Sequence, residues 1–332
     1  LGCAQGGGGA VAEVRFRLAL DGFEAAGTSY PAGTLFVPRL GNPPDTAARL
    51  ARLATAGLAV EGIRSSFTGG GLSLGSERMV SIGAVRAGLV AGAGVLPSSF
   101  GALWHLLDQE VETPVLRLDL PTLGAAELAD LDVVVLPGGY GYTAALAGDA
   151  GAALEAWVRA GGVLVALGEA VDWVRERGLV ELAEWQPGAG GAGGLPGEAG
   201  EGTGETTVET AAPIDRPLEV PGAVIASELR QGHPLGAGLP SPPPMLVLGS
   251  RPLLASGQPQ TDVLTAAGED PVLAGFAWPE SRERIAGSLL AAVAPAGHGK
   301  LVLFAQDPAF RGFWRGTMPL LLNAVLYGPY VL

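Results

Sequence analysis

Cysteine is almost missing from this chain: Cys3 is the only one, which excludes an internal disulfide framework and a cysteine-built zinc site but leaves the redox compartment open. Basic charge is scarce too. Against 33 Asp+Glu there are 20 Lys+Arg, only one of them a lysine (Lys300), and no run of five basic residues occurs, so a nucleic-acid groove or an anionic-membrane surface is excluded. No apolar run approaches the ~18 residues of a membrane span. Despite 53 glycines and 26 prolines there is no Gly-X-Y period, and the abundance of alanine reads as a genomic composition bias rather than a fibrous design. No signal segment opens the chain, which begins at Leu1 and reads as a processed or truncated product. Leu1-Gly2-Cys3 resembles the end of a lipoprotein cleavage box, but lipid anchoring at Cys3 is the less favoured reading of so short a motif.

What is present in quantity is buried-strand sequence. Val133 to Leu136 and Val163 to Leu167 are short β-branched runs, and Ala150 to Ala160 between them has the length and amphipathic pattern of a crossover helix. The arrangement predicts parallel strands ending in Gly138-Gly139 and Gly168-Glu169, at the carboxyl edge where open α/β sheets bind ligands.

Taken in order, residues 1–12 are expected to be a flexible lead-in and 13–71 a small α/β segment. That segment has strands near Val14–Leu20, Thr28–Pro38 and Ala59–Ile63, a helix from Pro44 to Gly57, and Gly69-Gly70-Gly71 as its linker. The main domain, residues 76–330, is expected to start with a strand at Met79–Val85, a helix over Pro97–Glu110 and a strand at Val115–Leu118. A Gly-rich, acidic insertion at about 187–212 has too little apolar surface to offset its ordering entropy and is expected to be disordered. Beyond it lie short strands near Ala223–Ile225, Met245–Leu248, Val263–Leu264, Val272–Phe276 and Leu289–Val293, then a strand at Lys300–Phe304 and a closing helix at Thr317–Tyr327. Alternating strands and helices predict an α/β fold with a doubly wound parallel sheet, a small N-terminal α/β segment and a β-rich addition.

Several stretches together carry a resemblance: Ser99-Phe-Gly-Ala-Leu-Trp-His-Leu-Leu-Asp108, Val133-Val-Val-Leu-Pro-Gly-Gly139, His233-Pro-Leu-Gly-Ala-Gly-Leu239, Gly299-Lys-Leu-Val-Leu-Phe304, Asp307-Pro-Ala-Phe-Arg-Gly312 and Leu322-Asn-Ala324. From about residue 13 to 328 the chain resembles the C-terminal part of large bacterial zinc carboxypeptidase-like proteins (peptidase family M14), where a class I glutamine amidotransferase-like domain follows the peptidase; Tyr30–Pro38 is similar to the segment joining the two. The resemblance implies a flavodoxin-like fold, an upstream zinc carboxypeptidase domain as partner, and an extracellular or periplasmic location. His105, His233 and His298 are the only histidines and none has a Glu three residues on, so zinc is expected only in that upstream domain and no cofactor or metal in this chain.

A working amidotransferase domain places a Cys on the tight turn after a strand and a His-Pro-Glu after a later one. By the resemblance, Glu169 stands at the nucleophile's place and Asp307 at the base's, which argues against glutamine hydrolysis and leaves no catalytic residue to assign. Two other readings stay open. The former crevice, formed by Gly138, Gly139, Tyr140, Gly168, Glu169 and Asp307 with Arg311 adjacent, is expected to hold a peptide or small polar ligand, or Glu169 and Asp307 act as a paired-carboxylate hydrolase. Each residue also has a structural account: Glu169 favoured at a helix N-terminus, Asp307 capping a turn or pairing with Arg311, and Gly138-Gly139 as a bend rather than a phosphate loop, since no Gly-Lys-Ser/Thr follows. Arg311, Arg315, Phe310, Phe313 and Trp314 read as cation–π packing in preference to a ligand face. Ser98-Ser99 lacks a Gly-x-Ser-x-Gly elbow, and nothing supports a serine hydrolase.

Overall fold

A computed structural model describes residues 14–55, 59–184, 219–249, 254–255, 258 and 260–332. The lead-in at 1–12 and the insertion expected at 187–212 lie outside the described residues.

The N-terminal unit contains β1 (Phe16–Ala19), β2 (Phe23–Ala25), β3 (Thr28–Tyr30), β4 (Leu35–Phe36), α1 (Thr46–Thr55), β5 (Gly70–Gly71) and β6 (Met79–Ile82). Its strands form two three-stranded antiparallel sheets, in the orders β4-β1-β6 and β3-β2-β5, around a small core of Ala19, Phe23, Ala25, Leu72, Leu74 and Met79. Three expectations change here. Ala59–Ile63 is not a strand, and Val60 is exposed. The glycine run is no linker, because Gly70–Gly71 pairs with Phe23–Glu24; a Cβ on Gly71 would sit 2.4 Å from the Gly22 carbonyl oxygen, so only glycine fits. Met79–Ile82 joins β1, from Phe16 opposite Ile82 to Ala19 opposite Met79, and so belongs to this unit rather than to the main sheet.

The main sheet begins instead with β7 (Ala87–Ala91), followed by α2 (Pro97–Trp104), a π-helical turn over His105–Glu110, β8 (Val115–Asp119), β9 (Val133–Leu136), α3 (Asp149–Ala160), β10 (Val163–Leu167), α4 (Ala170–Glu176) and β11 (Ala183–Glu184). Strand β7 escapes a propensity reading because Ala87, Gly88 and Ala91 dilute its apolar signal. Gly88 packs closely under a leucine: a Cβ there would lie 2.6 Å from Leu118 Cδ1, which would have to shift. The addition supplies β12 (Val220–Ile225), β13 (Ser227–Leu229), β14 (Met245–Gly249), β15 (Leu254–Ala255), β16 (Asp262–Ala266), β17 (Val272–Phe276), α5 (Pro279–Ile285) and β18 (Leu289–Ala296), and the chain closes with β19 (Gly299–Phe304) and α6 (Met318–Leu326).

Five strands of the central sheet are parallel, in the order β8-β7-β9-β10-β19. Ranked along the chain this is the order 2-1-3-4-5, the flavodoxin-like doubly wound arrangement, so the α/β fold predicted from the strand and helix alternation is the one observed. Beyond β19 the sheet continues antiparallel through β18 to β15 and β11, with β16 and β13 alongside, while β14-β12-β17 form a separate antiparallel sheet. Strands β9 and β10 are buried along their whole length. Val133, Val135, Val163 and Val165 face one core cluster, and Val134, Leu136, Leu164 and Ala166 the other, as the period of two requires of a sheet covered on both faces. The turn between β18 and β19 is Gly297-His298, with Gly297 at φ 64°, so His298 occupies the hairpin position that the sequence suggests.

Helix α6 buries Leu320, Leu321, Ala324 and Val325 and carries the buried Asn323, whose Nδ2 donates to the carbonyls of Leu235 (2.8 Å) and Ala237 (2.9 Å). The His233–Leu239 and Leu322–Ala324 stretches are thus one structural unit. His233 caps its own turn by accepting the Leu235 N–H on Nδ1 at 3.2 Å, and burial, then the charge of Arg230, lowers its pKa from 6.5 to about 4. As the pH falls below about 6.5 the unfolded chain takes up a proton that the folded chain refuses until about 4, so stability present at neutral pH is lost across that window. The expected loss is about 1–3 kcal/mol after allowance for partial exposure. His233→Asn keeps an acceptor and removes the titration. Urea unfolding at pH 7 and pH 4.5 should show a smaller acid loss in the variant, and equal losses would reject this account.

Candidate functional site

The loops that follow β7, β9, β10 and β19 meet at the carboxyl edge of the parallel strands, together with the start of α2. The winding reverses between β7 and β9, where an open α/β sheet ordinarily leaves its ligand crevice. Here main chain closes that point: Leu96 N donates to Gly138 O at 2.9 Å, Tyr140 N donates to Gly94 O at 2.6 Å, and Val95 forms a β-bridge with Gly139. Gly138 and Gly139 are buried in this junction, and Tyr140 beside them is 62% exposed. Tyr142 is 2% exposed; its hydroxyl donates to Pro137 O at 2.9 Å, and burial first, then the negative charge of Glu169, raises its pKa.

At the end of β10 the strained position is Gly168, with φ 57°; its N–H donates to Phe304 O at 2.9 Å, tying the ends of β10 and β19 together. Glu169 has ordinary right-handed backbone (φ −66°, ψ −19°) and leads into α4, where a carboxylate suits the helix N-terminus. A nucleophile is pushed out of a strand-to-helix turn by left-handed backbone. In this chain that backbone belongs to a glycine with no side chain, one residue before Glu169.

Asp307 is wired on both oxygens. Oδ2 accepts the Ser99 hydroxyl proton at 2.7 Å and Oδ1 accepts the Ala309 N–H at 2.9 Å. Ser99 Oγ in turn accepts the Gly138 N–H at 3.0 Å, so one chain of hydrogen bonds runs from the β9 loop through α2 to the loop after β19. Burial raises the Asp307 pKa, opposed by the bonds from Ser99 and Ala309. Ser99 is 4% exposed, which denies a substrate access to its hydroxyl. Chemically the arrangement is a hydroxyl–carboxylate clasp joining helix α2 to the loops after β9 and β19.

The pairing of Asp307 with Arg311 suggested by the sequence does not form among the described residues. Arg311 is exposed, adopts φ 50°, and stacks its guanidinium over the Phe310 ring at 5.1 Å from the centroid. Phe310, Phe313 and Trp314 make edge-to-face contacts, Trp314 Nε1 donates to Pro244 O at 3.2 Å, and Arg315 forms a two-point bridge to Glu110 at 2.8 and 2.9 Å. Of the expected cation–π packing only the Arg311–Phe310 pair forms among the described residues, and Phe313 is 61% exposed. Sequence reasoning missed Ser99 as a site residue, because it weighed Ser98-Ser99 only as a possible nucleophile. Its real partner is distant in the chain, and only the 2-1-3-4-5 strand order brings α2 beside the loop after β19. Among the described residues no group of three His, Cys, Asp or Glu is placed to hold a metal ion, and no helix is long and apolar enough to cross a membrane.

No protein-family model matches the chain, and no curated protein matches it. Solved structures of similar shape include chains of glutamine amidotransferase-like fold. PurLQS of Thermotoga maritima is 13% identical with a TM-score of 0.44, covering 74% of this chain and 99% of that one. A protein assigned as ThuA-like from Parabacteroides merdae is 14% identical with a TM-score of 0.46, covering 74% and 90%. A GMP synthase component from Thermoplasma acidophilum is 10% identical with a TM-score of 0.41, covering 71% and 94%. At such values these likenesses carry no argument about activity, and the fold rests on the observed strand order.

Proposed function

We propose that this chain is a non-catalytic, amidotransferase-like accessory region of a zinc carboxypeptidase-like protein, acting as structural support or as a substrate-docking platform for the peptidase. The observation that carries the non-catalytic part is the glycine at the strained turn: Gly168 occupies the only left-handed position between β10 and α4, and it offers no nucleophile. The double engagement of Asp307 supports it, since a carboxylate already accepting from Ser99 and Ala309 is committed to holding loops. The association with a zinc peptidase rests on the resemblance of the stretches between residues 99 and 324. A secreted or periplasmic location follows from that same resemblance. The small-ligand alternative is less well supported, because the Gly138-Gly139 part of its crevice is filled by main chain, whereas Glu169 and Asp307 remain half-buried.

Two measurements test the proposal. The purified chain should release no ammonia from glutamine above buffer; release that disappears in Asp307→Asn would overturn the non-catalytic reading. The reading frame upstream of the Leu1 codon should encode a peptidase domain with a His-x-x-Glu zinc motif, and its absence from the intact gene would remove the carboxypeptidase association.

A further inference from the structure

We propose that a cavity at the amino-terminal edge of the central sheet, lined by Arg78, Arg230 and Lys300, is a binding site for a phosphate group, carried free or as a small phosphomonoester. The cavity has a volume of about 330 Å³ and lies where the N-terminal unit, the β-rich addition and the last hairpin meet. It is remote from the loops just described. Lys300 stands near the start of β19 beside Val163, the first residue of β10, whereas Gly168 and Asp307 follow the carboxyl ends of those strands.

Charge is the main argument. The protein carries a formal net charge of -13, with 33 acidic against 20 basic side chains, yet the side chains lining this cavity include three cations and no Asp or Glu. Lys300 is the only lysine in the sequence, and its ammonium has no hydrogen bond or ion pair among the described residues. Arg230 spends Nη1 on the carbonyl of Gln260, and its other guanidinium donors make no bond among the described residues. Arg78 is held from outside the lining by Asp21, through Nε and, at 2.9 Å, through Nη2, which orients the guanidinium and leaves Nη1. With Arg78 already paired to Asp21, Arg230 and Lys300 are the lining cations with no carboxylate partner among the described residues, and an anion would complete the set. The remaining Arg230 donors, Arg78 Nη1 and the Lys300 ammonium are donors suited to a tetrahedral oxyanion.

The second argument is construction. Arg78 just before β6, Arg230 just after β13 and Lys300 within β19 bring cations from three separate parts of the chain to one hollow. Adjacent lining by His233 and Gln260 adds neutral polar groups, and Val293 and Ala294 give the apolar wall that a short organic body would cover. The volume lies at the small end of the ~300–1,000 Å³ range of small-molecule sites, which fits a phosphomonoester and is too small for a nucleotide with its base enclosed. At neutral pH His233 is uncharged and adds no further cation.

Calorimetric titration of the full chain at pH 7.5 with inorganic phosphate, glycerol 3-phosphate and, as a monoanion control, chloride reads the proposal. Saturable binding of either phosphate species, weakened at least about tenfold in Lys300→Gln and in Arg230→Gln and retained in Lys300→Arg, is the expected result. Tighter binding of glycerol 3-phosphate assigns the ligand to the esters; equal or tighter binding of inorganic phosphate assigns it to the free ion. Absence of saturation by either up to about 10 mM, or binding unchanged in both Gln variants, overturns the site. Unfolding midpoints of each variant without phosphate identify any loss of fold; should Lys300→Gln not fold, Arg230→Gln decides alone. None of these readouts depends on glutamine hydrolysis or on the peptidase association.

Discussion

Ser99→Ala is expected to destabilise the protein by about 2–4 kcal/mol, a large effect for removal of one oxygen atom. The hydroxyl serves two partners at once, accepting from Gly138 N at 3.0 Å and donating to Asp307 Oδ2 at 2.7 Å. Deleting it strands a buried main-chain donor, at roughly 1–3 kcal/mol because water cannot replace the lost bond, and takes one donor from the half-buried Asp307 carboxylate at a smaller cost. Its neighbour supplies the control: Ser98 is exposed, and Ser98→Ala should change stability by less than about 0.5 kcal/mol. Because Ser99 and Asp307 share one bond, Ser99→Ala and Asp307→Asn should be non-additive in the double variant. Urea unfolding monitored by circular dichroism measures all four proteins. Equal midpoints for the two serine variants would show that the clasp contributes nothing.

Two adjacent glycines should respond in opposite ways to a single methyl group. Gly139→Ala is expected to cost about 3 kcal/mol or more, or to prevent soluble expression, because its Cβ would lie 2.3 Å from Gly94 O and 2.8 Å from the Tyr142 ring. Main chain stands on one side of it and a buried tyrosine on the other, so neither neighbour can yield. Gly138→Ala is expected to stay within about 1 kcal/mol of the parent, since the nearest atom to its Cβ is Ser99 Oγ at 3.4 Å. The comparison separates a turn that needs glycine for space from a phosphate loop that needs it for ligand approach. Were Gly138→Ala the damaging member of the pair, the main-chain closure of the β7–β9 junction would be wrong.

How much of this was legible beforehand depends on the range of the interaction. Strands β9, β10 and β19 stand out in sequence because continuous Val and Leu runs are what a sheet buried on both faces requires, and α3 stands out by its amphipathic period. Strand β7, with Gly88 packed under Leu118 and Leu131, does not, since its size limit comes from a neighbouring strand. The helix read over Pro97–Glu110 continues past Trp104 as a π turn, where Glu110 meets Arg315 from the far end of the chain. At the site, the absence of a cysteine or histidine near Gly168 and Asp307 is a matter of residue identity and is visible at once. Which residue of the turn takes left-handed backbone, and which group claims Asp307, are matters of geometry.

The sequence by itself determined the α/β class, the buried parallel strands and the presence of Gly168-Glu169 and Asp307, with no Cys or His beside them in the chain, because periodicity and residue identity are local properties. Only the tertiary structure decided that Gly168 takes the left-handed backbone, that Ser99 clasps Asp307 across 208 positions, that main chain fills the β7–β9 junction, and that Arg78, Arg230 and Lys300 share a cavity. Those contacts are set by strand order and by the loops it brings together, and no spacing along the chain encodes them.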